Sequence, residues 1–101
     1  MPVSEPPDLF KAWERALSIN FMLRTKLTRL RLEMEQEARR PIGLSLRTQR
    51  RVNTLSLWVD QFSYDLMGTL LKHQKHRSTL ADRIVQCNMR WGDRLKEILA
   101  L

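Results

Sequence analysis

The chain has 101 residues, enough for one small domain and too few for a second independent core. Hydrophobic residues make up 43% and charged residues 29%, a globular rather than a disordered balance. Only 3 glycines and 4 prolines supply the turns that a sheet of short strands needs. Composition therefore excludes a multidomain enzyme, a β-sandwich and a low-complexity chain. We expect a single helical domain over residues 1–101.

Basic residues exceed acidic ones, with 18 Lys and Arg against 11 Asp and Glu, for a net charge of +7. This excess favours a polyanionic partner, with nucleic acid ahead of an acidic membrane surface or an acidic protein. The alternative is that the charge serves solubility alone. No stretch approaches the roughly 18 apolar residues of a membrane helix, and the N-terminal sequence lacks the apolar run of a signal peptide. We expect no membrane partner and a cytoplasmic location.

The first predicted helix spans residues 8–39 and follows a short Pro-rich tail at residues 2–7, with Asp8 as its N-cap. A 4-3 spacing typical of a helix–helix seam runs through Leu9, Trp13, Ala16, Asn20, Leu23, Leu27, Leu30 and Met34. Asn20 either fixes the register of this seam or lies at an edge that reaches water. Phe10, Leu17 and Phe21 widen the apolar stripe, which indicates a bundle.

The second predicted helix spans residues 46–76, because Pro41-Ile42-Gly43 breaks the pattern and Ser45 or Thr48 can cap a new helix. Its seam residues are Val52, Leu55, Val59, Phe62 and Leu66. The short connection predicts an antiparallel hairpin. Together with Trp13, Asn20, Leu23 and Leu27, these residues form either the core or a dimer seam.

A third amphipathic helix is predicted over residues 79–100, where Thr79 and Asp82 resemble a capping box. The lone Cys87 has apolar neighbours at helical spacing, so we interpret it as a small core residue. The predicted fold is all-α: a long antiparallel helical hairpin plus a third helix. An exposed seam would pair two copies into a four-helix-type bundle.

Positive charge is concentrated at both ends of the second helix. A polar face, predicted to lie opposite the core, contains Arg47, Arg51, Thr54, Trp58, Gln61, Asp65, Gly68, Lys72 and Lys75. The cations at the ends of this face can bind phosphates, and Gly68 permits the close approach of a nucleic-acid backbone. Asp65 opposes phosphate contact at its own position. The alternative is an ordinary solvated helix face.

The sequence contains no motif that indicates a catalytic site. His73 and His76 lie three residues apart, but no nearby Asp, Glu or Cys completes a metal site. There is no glycine-rich phosphate loop and no nucleophile motif. We therefore predict a non-enzymatic binding protein without metal or cofactor.

Part of the chain resembles the nodaviral RNA-silencing suppressors that bind double-stranded RNA. The similarity covers about residues 45–80: Arg50-Arg51, Thr54-Leu55, Gly68-Thr69-Leu70-Leu71-Lys72, and Leu80 beyond. The chain departs from that family in lacking a proline after the lysine region and in having a longer, Trp-containing third helix.

This resemblance implies an antiparallel homodimer that coats duplex RNA without sequence preference, shields it from cleavage and suppresses RNA silencing in the host cytoplasm. The phosphate contacts that it implies are Arg47, Arg50, Arg51, Lys72 and Lys75, with Arg77 behind them. Thr54 and Gln61 would contact ribose hydroxyls.

The main alternative is a small helical protein–protein interaction module, such as a dimeric adaptor or regulator, whose basic charge is only surface charge. In either case the third helix offers a surface for a protein partner. A DNA-binding helix-turn-helix is disfavoured by the length of the predicted helices. A membrane-surface amphipathic helix over residues 9–34 stays open as an interpretation.

Overall fold

The computed structural model describes residues 7–101, and these fold into three packed helices without any strand. The helices are α1 (Leu9–Ala38), α2 (Leu46–His73) and α3 (Arg77–Leu99). The predicted all-α fold is confirmed. Nearly all of the predicted Pro-rich tail lies outside the described residues.

Helix α1 begins at a side-chain cap. The Asp8 carboxylate accepts hydrogen bonds from the backbone amides of Phe10, at 2.8 Å, and Lys11, at 3.4 Å. These amides have no partner within the helix, so the carboxylate satisfies them. The predicted N-cap is confirmed.

The connection between α1 and α2 is closed by hydrogen bonds around Glu37. Its carboxylate accepts from the Thr48 hydroxyl at 2.8 Å and from the Ser45 hydroxyl at 3.0 Å. Ser45 in turn caps α2, because its hydroxyl oxygen accepts from the Thr48 amide at 3.2 Å. Gly43 has a φ of 79°, a left-handed conformation that favours glycine. The hydrogen bond from Thr48, followed by that from the Ser45 amide, holds the pKa of Glu37 below its usual value.

The boundary between α2 and α3 differs from the prediction. Helix α2 ends at His73 rather than at residue 76, and α3 begins at Arg77 rather than at residue 79. The His76 amide donates to the His73 carbonyl at 3.2 Å, and the Leu80 amide already donates to the His76 carbonyl at 2.8 Å. Helical hydrogen bonding therefore starts before Thr79, and the predicted capping box was wrong. His76 occupies the N-cap position without a side-chain hydrogen bond.

The three helices pack side by side in an elongated molecule whose backbone measures 63 × 30 × 16 Å. Helix α1 runs antiparallel to α2. A 3.3 Å ion pair between Glu33, near the end of α1, and Arg51, near the start of α2, joins the two helices beside their connection. Helix α3 turns back along both. Near the other end of α1, the Asn88 amide donates to the Ala12 carbonyl at 2.8 Å, a contact that spans 76 residues of sequence.

Most of the predicted seam is buried inside this single chain. The buried members are Ala16, Leu23, Leu27, Leu30, Val52, Leu55, Val59, Phe62 and Leu66. Helix α3 supplies the facing surface, and Trp91 packs edge-on against Phe62 with 5.6 Å between ring centroids. Cys87 is buried among these side chains, as predicted.

Four predicted seam residues of α1 lie at the edge of the core instead: Leu9, Trp13, Asn20 and Met34. Trp13 and Asn20 are half-buried, and the Asn20 side-chain oxygen accepts from the Arg24 guanidinium at 3.1 Å. Ala12 and Ile19 are buried in the same part of α1. Because α1 must cover both α2 and α3, its buried stripe is displaced by one residue from the predicted seam at Trp13 and Asn20.

Candidate nucleic-acid interface

The polar face of α2 does not lie opposite the core, as the sequence analysis expected, but flanks it. Six of its members precede buried residues by one position, for example Thr54 before Leu55 and Asp65 before Leu66. One residue turns an α-helix by only about 100°, so these positions lie beside the core. Four of them are half-buried: Arg51, Thr54, Trp58 and Asp65.

Asp65 connects this flank of α2 to α3. Its carboxylate accepts from the Trp91 indole N–H at 2.9 Å and from the Arg90 guanidinium at 3.0 Å. The Cys87 thiol contacts the same carboxylate at 3.5 Å. Burial acts to raise the pKa of Asp65, but the hydrogen bonds from Trp91 and Arg90 outweigh it and hold the pKa below its usual value. The negative charge that opposed phosphate contact is thus paired within the protein.

Cys87 has no nucleophilic character in this setting. Burial, followed by the neighbouring Asp65 charge, raises the pKa of its thiol to about 12. The thiol therefore stays protonated at neutral pH.

An open groove lies between the second half of α2 and the first half of α3, with a volume of about 430 Å³. It is lined by Tyr64, Asp65, Gly68, Thr69, Lys72, His73, Arg83, Gln86 and Arg90. A side chain at Gly68 would meet no atom within 4 Å, so this part of α2 is accessible to a bound backbone. Of the predicted RNA contacts, only Lys72 lines this groove.

Three arginines on α3 contribute to this surface and were not among the residues predicted from the sequence. Arg83, Arg90 and Arg94 are seven and four residues apart, a spacing that places them along one side of the helix. Arg83 and Arg90 line the groove, and the Arg94 guanidinium lies 5.3 Å from the centroid of the Trp91 ring. The spacing was visible in the sequence, but without the packing of α3 nothing placed it beside α2.

The other predicted contacts fall into two groups. Arg47, Arg50, Arg51 and Thr54 share a smaller groove of about 300 Å³ with Leu46 and Leu101. Arg47 and Arg50 are exposed and form no ion pair with any acid of residues 7–101, whereas Arg51 pairs with Glu33. Lys75 and Arg77 lie at the opposite end of the bundle beside Pro7 and Leu9. Gln61 is exposed between these two ends of α2.

Within the described part of the chain, no group of three or more His, Cys, Asp or Glu side chains could hold a metal ion. No helix among residues 7–101 is long and apolar enough to cross a membrane. The chain matches no protein-family model, and comparison with curated proteins and with solved structures also finds no match. The resemblance to the nodaviral suppressors therefore stays a sequence-based prediction.

Proposed function

We propose that the protein binds double-stranded RNA without sequence preference and without catalysing a reaction. The surface that binds it is the α2–α3 basic face, which we define as Arg47, Arg50, Lys72, Arg83, Arg90 and Arg94. The observation that carries this proposal is the convergence of Lys72, Arg83 and Arg90 from two helices on the α2–α3 groove. Among residues 7–101, the lining of this groove contains one acid, Asp65, and Arg90 already pairs with it.

The length of this face suits a duplex. Arg47 and Lys72 are 25 residues apart on one continuous helix, which corresponds to about 38 Å. Duplex RNA is recognised mainly by shape, through phosphates and 2′-hydroxyls, over as many as about 16 base pairs. Gln61 is exposed between the cationic ends and would contact a ribose hydroxyl. Thr54 is half-buried and would contribute where its side chain reaches the surface.

A protein that covers phosphates along a duplex also denies them to nucleases. We therefore propose that binding shields duplex RNA and suppresses RNA silencing in the cytoplasm of a host cell, as the resemblance of residues 45–80 implies. The bound RNA, rather than a metal or cofactor, is the expected ligand.

We further propose that two copies pair through an outward apolar stripe, defined as Leu57, Tyr64 and Met67. All three side chains are exposed on α2. They are seven and three residues apart, so they share one side of the helix. Exposed apolar side chains on one side of a helix often mark an interaction site, and a homodimer would cover this stripe. Pairing would also double the number of cations available to one duplex.

The decisive experiment is a gel-shift assay with a 20-base-pair duplex RNA, a duplex DNA of the same sequence and a single-stranded RNA, each across a salt series. We expect preference for duplex RNA and an affinity that falls steeply with salt, because phosphate contacts release counterions. Equal weak binding to all three nucleic acids would contradict the proposal.

The second candidate function is a protein–protein interaction module, which the outward apolar stripe also favours. Apolar docking survives high salt, whereas phosphate contacts do not. A partner complex that is stable in 1 M salt, combined with no RNA preference, would favour this candidate.

A further inference from the structure

An apolar groove lies at the end of the bundle where α1 begins, α2 ends and α3 begins. This end groove has a volume of about 530 Å³ and is lined by Leu9, Phe10, Trp13, Leu70, Arg77, Leu80 and Ile84. Among residues 7–101, Arg77 is the only charged residue in this lining. Leu80 and Ile84 belong to the buried core, so the groove reaches down to the core of the protein.

The rim of the end groove is positively charged. A neighbouring groove shares Leu9 and Arg77 with it and adds Lys75, His76 and Ser78. No acidic side chain of residues 7–101 lines either groove. The combination is an apolar floor beside two cations, Lys75 and Arg77, that form no ion pair with an acid of residues 7–101.

These features do not match duplex nucleic acid, because its bases are stacked inside the helix and its outer phosphates and sugars would gain nothing from an apolar floor. They match an amphipathic helix that presents apolar side chains on one face and carboxylates beside them. Apolar side chains would fill the groove, and carboxylates would lie against Arg77 and Lys75, giving complementary charge across the interface.

We propose that the end groove docks an acidic amphipathic helix from a partner protein. This inference goes beyond RNA binding and does not depend on it. It also gives Lys75 and Arg77, which lie outside the α2–α3 groove, a role in the recognition of carboxylates.

Phe10 forms the exposed wall of the end groove and offers a clean test. Its side chain is 70% exposed, and so is that of Phe21, which is on the same helix but does not line the groove. Substituting either with Ala removes the same atoms from an exposed site, so both variants should fold. Phe21→Ala is therefore the matched control for Phe10→Ala.

The probe is a fluorescently labelled synthetic helix of 16 residues with Leu at every third or fourth position and Glu at most others. Binding is measured by fluorescence polarisation against four proteins: the full chain, Phe10→Ala, Phe21→Ala and Arg77→Glu. A second peptide carries Lys in place of Glu, and a third has the composition of the first with its Leu residues scattered around the helix.

We expect the acidic peptide to bind, and the basic and scattered peptides to bind at least tenfold more weakly. Phe10→Ala should weaken binding about tenfold, which is about 1.4 kcal/mol, because the variant loses the aromatic ring that the peptide would cover. Arg77→Glu should weaken it further, and Phe21→Ala should leave it unchanged. Equal binding of the acidic and basic peptides, or no difference between Phe10→Ala and Phe21→Ala, would overturn the proposal.

A second copy of the chain is the competing occupant. If sedimentation shows that Phe10→Ala converts a dimer into a monomer, the second copy fills the end groove and the proposal is wrong. The gel-shift assay on the same variants separates the two proposals, because Phe10→Ala should bind duplex RNA as the unmodified chain does. Loss of peptide binding with RNA binding intact, or the reverse, identifies which proposal has failed.

Discussion

The Asp65 carboxylate and the Trp91 indole N–H form a 2.9 Å hydrogen bond that joins α2 to α3. The same carboxylate pairs with Arg90 at 3.0 Å, while the Trp91 ring packs against Phe62 of α2. One acid therefore fixes how the two helices that carry the basic face lie against each other. Its charge is satisfied within the protein rather than presented to a ligand.

Replacing Asp65 with Ala should destabilise the protein by about 1–3 kcal/mol, because the Trp91 N–H and Arg90 lose their acceptor. Thermal unfolding followed by circular dichroism measures the change. Asp60→Ala is the control, since Asp60 is exposed on the same helix and forms no ion pair with a residue of 7–101. Equal stability of the two variants would show that the Asp65 hydrogen bonds contribute nothing.

Low pH should destabilise the folded protein because Asp65 and Glu37 become protonated. The pKa of each carboxyl is lower in the folded protein than its ordinary value, which is 3.8 for Asp65 and 4.5 for Glu37. Above the ordinary pKa values, the two carboxylates therefore add their full contribution to the free energy of unfolding. That contribution is lost as pH falls through the lower pKa values of the folded protein. Urea unfolding between pH 6 and pH 3 should show this decline. It should be shallower in Asp65→Asn, and a slope identical to that of the unmodified chain would contradict the assignment.

Lys72 and Lys75 should differ in their effect on RNA binding, although only three residues separate them. Lys72 lines the α2–α3 groove, and Lys75 lies in the groove beside Pro7 and Leu9. In gel-shift assays across a salt series, Lys72→Gln should weaken duplex binding and reduce the slope of log affinity against log salt by about one. Arg83→Gln should behave like Lys72→Gln.

Lys75→Gln and Arg29→Gln, each with the same loss of charge outside the basic face, should change binding little. If these two variants match Lys72→Gln, the protein responds to total charge and the α2–α3 basic face is not a distinct site.

Tyr64→Glu should convert a dimer into a monomer, because it places a charge at the centre of the outward apolar stripe. Sedimentation velocity gives the oligomeric state directly. Met89→Glu is the control: Met89 is also exposed but lies on α3, outside the stripe. A monomeric unmodified chain, or a Tyr64→Glu variant that still dimerises, would exclude this stripe as the dimer interface.

The sequence was sufficient for the helices and for most of the core. Val52, Leu55, Val59, Phe62 and Leu66 follow the 3–4 spacing of a single buried stripe, and that stripe is where the prediction placed it. The end of α2 was harder to locate, since the turn at His73–His76 contains neither proline nor glycine.

The candidate site could be predicted only in part from the sequence. Periodicity places Lys72 and Asp65 on one side of α2, but it cannot show which neighbouring helix covers that side. The contribution of Arg83 and Arg94, and the pairing of Asp65 with Arg90, depend on how α3 packs. The contact between Asp65 and Arg90 joins residues 25 positions apart, beyond the range of a pattern within one helix.

The bond between Asn88 and the Ala12 carbonyl has a consequence for synthesis on the ribosome. Helix α1 leaves the ribosome first, yet the side chain that holds it in place comes 76 residues later. The α1–α2 hairpin can close early around Glu37, but its inner apolar surface stays uncovered until α3 has been translated. Nascent chains that pause between His73 and Asn88 are therefore the ones that chaperones should engage and that should aggregate most readily.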